Sequence, residues 1–600
     1  MGGPPARRRR ARGTAEREPV NGPGGGTRKG ALDPGETRAP AFAAWLDGFF
    51  ASYFQHRPVN ATFVGVHAHD ERLPDLSEAG LGAALADAES LLAGLEVLPD
   101  EPLGEAEALD RALARGVLEI QRWELGSDHF ARGNPCVHTG EAAFGLIALL
   151  RRPFAPLAER IEAAIRRMEA IPALLDSADA TLRQAPGAWI ERAEHECGGL
   201  RALLGDGIER FLTTAGVDPT AGVDGDALRA AARRAAGAVG RLEHRLRQAR
   251  RDAHDRYACG PEALDLLLRR GHFLSPGAAE IERCASDQLA ESEAYLREHA
   301  RDFGAATWEE ALAGLADVHP SPGGYYDRYA HLWAACRHVA LSHRLVTWPD
   351  LPVRYVPRPA WARAAAPYLY FLAYHAPAPE DDVAETEYLV APIEPDMPPA
   401  EQARLLRATN DSVIKLNHVV HHGAIGHHVQ NWHAARAPSR IGRIAAVDCA
   451  SRIALFCGGT MAEGWAGYVT ELMGEVGFLT PREEFAVRHG RLRMAARAVV
   501  DVRLHQGRFT LDEAAAFYRD RVGLAPAAAR AEAVKNSLFP GTALAYLTGT
   551  DAIHRLRREL AARPGFALGR FHDALLAHGS VPVTLVAQAM GSGWWPAPIR

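Results

Sequence analysis

Lysine is nearly absent. Only Lys29, Lys415 and Lys535 occur among 68 basic residues, and arginine supplies the rest. With abundant alanine and glycine, this skew reflects a GC-rich coding sequence more simply than a mechanism. Net charge is scarce as well: −6 over 600 residues argues against nucleic acid as the main partner. The seven cysteines are scattered and include no CxxC pair, so buried reduced thiols in a cytoplasmic protein are expected. No apolar run approaches the roughly 18–20 residues of a membrane-spanning helix, so no membrane partner is expected. Arg7 to Arg10 are not followed by a hydrophobic stretch, so neither a secretory nor a usable twin-arginine signal is expected, and a cytoplasmic place is. Alternating β-branched segments are few; RYVPRP and ETEYLVAPI are the best strand candidates.

What remains is helix. Stretches such as PLAERIEAAIRRMEAIPALLDSADATLRQ and GDALRAAARRAAGAVGRLEHRLRQARRDAHDRYA repeat apolar residues at spacings of three and four, with Gly and Pro as punctuation. The fold class is therefore all-α with few short strands. The length suits one large core or two to three domains. Residues 1–38, rich in Gly, Pro and Arg, read as a disordered tail. Residues 39–320 form an N-terminal helical region and 321–600 a second one. The soft boundary at HPSPGGYYDRY also fits a loop inside one continuous fold.

The second region carries the chemistry. Between Asn417 and His433 the chain reads NHVVHHGAIGHHVQNWH, with six of the 26 histidines. Thirty residues on, AEGWAGY places Glu463 among small and apolar neighbours, where a carboxylate is buried and partnered. Neutral imidazole is the commonest ligand for a transition metal, a carboxylate from a neighbouring helix often completes the set, and zinc is the expected ion. A lone helix histidine is usually a core or surface residue, but six in seventeen positions are harder to explain that way.

Ala403 to Val429 reads as one helix interrupted only by Gly423 and Gly426. At about 100° per residue, His421 and His428 share a face, and His418 and His422 form an i, i+4 pair. His421 and His427 point roughly 120° apart on an ideal helix and converge only if it bulges or breaks near Gly423–Gly426. Spacing leaves all three pairs open. No Asp or Glu lies inside the segment to serve as a general base.

These residues carry a family likeness. HHGAIGHHVQ (His421 to Gln430), EGWAGYVT (Glu463 to Thr470), DVRLH (Asp501 to His505) and PGTALAYLTG (Pro540 to Gly549) resemble the HExxPGHHxQ, EGWAxYxE, DxGxH and PGQAxxYxxG motifs of the bacterial domain of unknown function 885 family. Members of that family look like helical zinc metallopeptidases. RPVNATFVGVHAHDERLPDLS near the start and FHDALLAHGSVPVT near the end extend the likeness over nearly everything after about residue 40. The resemblance implies an all-helical fold with a deep cleft and one zinc ion held by His421, by His427 or His428, and by Glu463. It implies an oxyanion-stabilising phenol at Tyr546 and an imidazole at His505 oriented by Asp501. The family's general-base Glu is His422 here, the Pro before GHH is Ile425, and the second Glu of EGWAxYxE is Thr470. His422, Tyr546 and His505 are thus the candidate catalytic residues of a hydrolase acting on a peptide-like or other amide bond with an atypical base. A degenerate binding protein, or a metalloenzyme of another class acting on a small metabolite, are the alternatives.

Overall fold

The computed structural model describes residues 39–592, apart from 183, 215–223, 369–373, 375–376 and 448–454. The expected tail, 1–38, lies outside them. The described chain is helix after helix with one two-stranded sheet, an all-α protein. Among the described residues, no helix is long and apolar enough to cross a membrane.

Periodicity explains the individual helices. Gly225–Ala249 buries Leu228, Ala231, Ala232, Ala235, Val239, Leu242 and Leu246 on one face, and its N-cap Asp224 accepts from the Ala227 amide. That face packs on Leu157–Asp176. In Pro40–His56, Phe42, Trp45, Phe49 and Tyr53 stack at centroid spacings of 5.8, 6.0 and 6.2 Å, a ladder that i+3 and i+4 spacing produces. Both apolar clusters of the interior draw residues from each side of position 320: Leu113 with Ile441 in one, Leu289 with Val499 in the other. Buried Asp110 ties the two sides together by accepting from the Ser439 hydroxyl (2.6 Å) and from the amides of Arg440 and Ile441.

The segment RPVNATFVGVHAHDERL forms a polar knot. Arg167 has no exposed surface and donates to the Gly145 and Arg72 carbonyls and to the Thr62 hydroxyl, which in turn donates to Asp70. His67 binds Asp70 through Nδ1 (2.7 Å) and Asp381 through Nε2 (2.8 Å). Burial disfavours its charge, yet the two carboxylates prevail and raise its pKa to about 9. An unfolded histidine titrates near 6.5, so this contact stabilises fully below about pH 6.5 and is lost as pH rises through about 9. His67→Gln is therefore expected to flatten the fall in urea midpoint between about pH 7 and 9.5. An unchanged slope would remove His67 as the cause.

The strand candidates pair as a parallel two-stranded sheet, β1 (Val353–Pro357) and β2 (Thr386–Val390), with Tyr355 opposite Tyr388. Their phenols reach the histidine segment. The Tyr355 hydroxyl donates to the His418 carbonyl (2.9 Å), and the Tyr388 hydroxyl meets His418 Nδ1 (2.7 Å). So small a sheet has little stability alone, and here it acts as a bracket.

Candidate metal centre

The segment expected as one helix is four pieces. Pro399–Ala408 ends before Asn410, whose side chain caps a new start by accepting from the Val413 amide. Ile414–Gly423 is then a wide π-helix. Beyond it the backbone breaks at Ala424 and Gly426 and restarts as His427–Ala434. The break is held on several sides. The Gly426 amide reaches back to the Val420 carbonyl, Trp333 Nε1 donates to the Gly423 carbonyl, and Trp465 Nε1 donates to the Ile425 carbonyl, the last two at 2.8 Å.

This break brings His421 and His427 together, with ring centroids 4.8 Å apart. One ligand atom from each of His421, His422 and His427 lies within 4.8 Å of the others. Glu463, on the helix Gly459–Glu475, places Oε2 3.5 Å from Nε2 of both His421 and His427. Such a separation is a close approach and not a well-formed hydrogen bond, and Oε2 is buried with no hydrogen-bond partner among the described residues. An acceptor left equidistant from two imidazole nitrogens fits a shared cation between them. The cluster is reachable: the side chains of His421, His427 and Glu463 are 17, 13 and 25% exposed.

Electrostatics follow from this crowding. Burial alone would raise the Glu463 pKa, but the imidazoles of His427 and His421 outweigh it and hold the carboxyl well below its usual range. Burial lowers His421, and the neighbouring His427 and Arg497 add to that against Glu463. Burial and then His421 and His427 push His422 far down as well, which keeps its ring neutral. The His422 Nδ1–H donates to the Asn417 carbonyl (2.7 Å), so Nε2 carries the lone pair.

The other histidines face elsewhere. His428, one of two candidates for the second ligand, is fully buried with Nε2 on the Leu351 carbonyl (2.8 Å), and burial lowers its pKa to about 4. The helix restart points it away from the cluster, so His427 is the one placed with His421 and Glu463. The His418–His422 pair is split, since His418 turns to Tyr388. His505 is sealed at 0% exposure beside Asp501, with Nε2 on the Asn536 carbonyl (3.0 Å). In this arrangement the ring has no accessible surface. Asp501 accepts from the Gly541 and Leu544 amides and so fixes the turn that starts the helix Ala545–Ala561.

That helix carries Tyr546, and it crosses the Glu463 helix with backbones touching. A Cβ on Gly464 would stand 2.6 Å from Gly549 Cα, and the Thr550 hydroxyl lies 3.4 Å from the Gly464 carbonyl. The glycines of AEGWAGY and YLTG permit this approach and bring Glu463 beside the Tyr546 turn. Thr470 turns its hydroxyl back to the Ala466 carbonyl; Glu471 binds His554 and Arg491. Those three side chains line a cleft of about 830 Å³ that none of the clustered histidines lines. The cleft implied over the metal residues is therefore not this one.

Sequence reasoning missed Arg497, on the helix Pro481–His505. Its Nε donates to Glu532 Oε1 (2.6 Å), and its guanidinium lies 4.7 Å over the Tyr546 ring. An arginine inside the otherwise apolar run AARAVV was the available signal.

Two solved structures share this fold. A protein provisionally designated a lipoprotein of unknown function, from Shewanella oneidensis, is 20% identical with a TM-score of 0.72, over 92% of this chain and 99% of its own. Another provisionally designated a lipoprotein, from Colwellia psychrerythraea, is 17% identical with a TM-score of 0.74, over 92% and 98%. No curated protein matches. The family profile of bacterial proteins of unknown function, domain of unknown function 885, matches residues 58–590, and this chain belongs to that family.

Proposed function

We propose that the chain is a zinc-dependent hydrolase of a peptide-like or other amide bond, with His421, His427 and Glu463 as metal ligands. The observation that carries this reading is the orphaned Glu463 Oε2 held equidistant from two imidazole nitrogens. Two histidines and a carboxylate are a hydrolytic zinc set that leaves a coordination position open. Zinc bound there would supply Lewis acidity toward water and the scissile carbonyl. The protein's own groups do the rest. His422, neutral and anchored through Nδ1, accepts the proton of the attacking water at Nε2 and returns it to the leaving amine. The Tyr546 phenol stabilises charge developing on the carbonyl oxygen. The cytoplasmic placement is part of this proposal and is supported by free, buried cysteines such as Cys197, Cys336 and Cys457.

One observation favours a second reading. His422 stands as close to His421 and His427 as a fourth ligand would, and an anchored second nitrogen is usual for metal-bound imidazole. Closing the site in this way would make the protein a metal-dependent binder or an enzyme of another class.

Metal analysis of untagged protein tests both readings. About one equivalent of zinc is expected; less than roughly a tenth of an equivalent of any transition metal sinks them. Glu463→Gln is expected to weaken zinc binding by at least about 100-fold, since changes to mere outer partners of ligands cost 10–100-fold. His428→Gln should leave zinc affinity nearly unchanged. It should lower stability by about 1–3 kcal/mol, because the Leu351 carbonyl loses its donor. Competition with a chromophoric chelator measures the affinities. The reverse ranking would make His428 the ligand.

A further inference from the structure

Arg497 is a cation in an unusual place. It lies over Tyr546, on the helix that packs along the Glu463 helix. A guanidinium serving only as a structural tie would be expected to spend all its donors on the fold. This one spends a single donor. Nε is committed to Glu532, which Arg493 also holds (2.7 Å). The Tyr546 ring supports one face of the plane. The side chain is 14% exposed, and its two terminal nitrogens have no hydrogen-bond partner among the described residues. They are not among the sealed, unsatisfied nitrogens of the interior. Its geometry is a fork fixed at its base by Glu532, braced flat on an aromatic ring, with two parallel donors open.

The placement bears on the metal centre. Tyr546 lies three residues before Gly549, whose backbone touches that of Gly464, next to Glu463. Ala545 and Gly549, on either side of Tyr546, both touch the Glu463 helix, so the ring under the guanidinium belongs to the turn at that crossing. Two parallel N–H donors match a carboxylate, which they bind bidentately. A fixed cation beside a site meant for a dication is tolerable where an anion comes between them.

We propose that Arg497 receives a free carboxylate of the substrate next to the scissile amide, which makes the substrates N-acyl amino acids or peptides cut at their C-terminal residue. This inference rests on the hydrolase reading above. In the reaction the C–N bond breaks, the water oxygen joins the acyl carbon, and the amine departs with the proton relayed by His422. The Arg497-bound carboxylate takes no part in bond changes and sets which bond is presented.

The test compares each N-acetyl-amino acid with its own carboxamide across the protein side chains, in two assays. Zinc-loaded enzyme is assayed for turnover, and metal-free protein for binding by calorimetry. Free acids are expected to exceed amides by about 10- to 100-fold in kcat/KM and to bind the metal-free protein more tightly. Arg497→Gln should erase the difference and Arg497→Lys should keep part of it, with circular dichroism confirming the fold. Should Arg497→Gln fail to fold, the acid-against-amide comparison on the unaltered protein still decides. Equal turnover of acids and amides overturns the carboxylate receptor and leaves the hydrolase. Acid-selective binding that depends on Arg497, without turnover of any substrate, overturns the hydrolase and leaves the receptor. Neither binding nor turnover overturns both.

Discussion

Replacing His422 by alanine is expected to leave zinc in place and to lower amide hydrolysis by about 10²–10⁴-fold, the usual worth of a positioned general base. The imidazole is half-buried, bonds the Asn417 carbonyl and meets the rings of Tyr374, Tyr388, His421 and His427 at the rim of the π-helix, so its loss removes rim contacts and leaves the interior core in place. What disappears is the Nε2 lone pair beside the ligands. His422→Glu should restore much of the rate, because a carboxylate there recreates the HE pairing that the resembled motif carries. Single-turnover rates and chelator competition, measured together on both variants, separate the two roles of this residue. If His422→Ala costs at least about 100-fold in zinc affinity, the histidine is a ligand and the proposed base is gone. The proposed mechanism would then fall even with metal bound.

The histidine segment shows how far the sequence carries and where it stops. Periodicity is a local property, so it identified helices, and RYVPRP and ETEYLVAPI were recognisable as strands because β-branched and aromatic residues crowd them. The spacing also stated the condition for His421 and His427 to meet, a break near Gly423–Gly426. Spacing could not say that the condition is satisfied. The restraints come from Trp333, Trp465, Tyr355 and Tyr388, which lie between 33 and 88 positions from His421 in either direction along the chain. The one-helix reading of 403–429 failed for a nearer reason, since Asn410 caps a fresh start and the π-helix shifts the angle of every later side chain. The DVRLH motif likewise could not show its surroundings: Asp501 accepts from the amides of the turn before the Tyr546 helix, and buried His505 meets the Asn536 carbonyl on the helix Pro526–Leu538. Arg497 escaped notice because its meaning depends on Glu532 and Tyr546, on two other helices.

Gly426→Ala tests whether the break itself makes the site. A Cβ there would stand 1.9 Å from the His421 carbonyl oxygen and 2.7 Å from that of Val420. Real Cβ atoms do not approach so closely, and neither oxygen belongs to a side chain that could rotate aside. The Val420 carbonyl already accepts the Gly426 amide at 2.9 Å, and the next carbonyl back, that of Ile425, is held by fully buried Trp465. The segment must therefore open, which separates His421 from His427 and releases Trp465 Nε1 inside the core. We expect a stability loss of roughly 3 kcal/mol or more, above the usual range for one added methyl in a core. Zinc binding should vanish at concentrations that saturate the parent. Gly490→Ala serves as the internal contrast. Gly490 lies inside the helix Pro481–His505 with no atom within 4 Å of the added Cβ, so alanine there should stabilise by about 0.5–1 kcal/mol. Urea denaturation and zinc titration of the two variants form one experiment. A Gly426→Ala protein as stable as its parent and equally able to bind zinc would mean that the histidines meet without the break. The convergence on which the metal centre is argued would then need another cause.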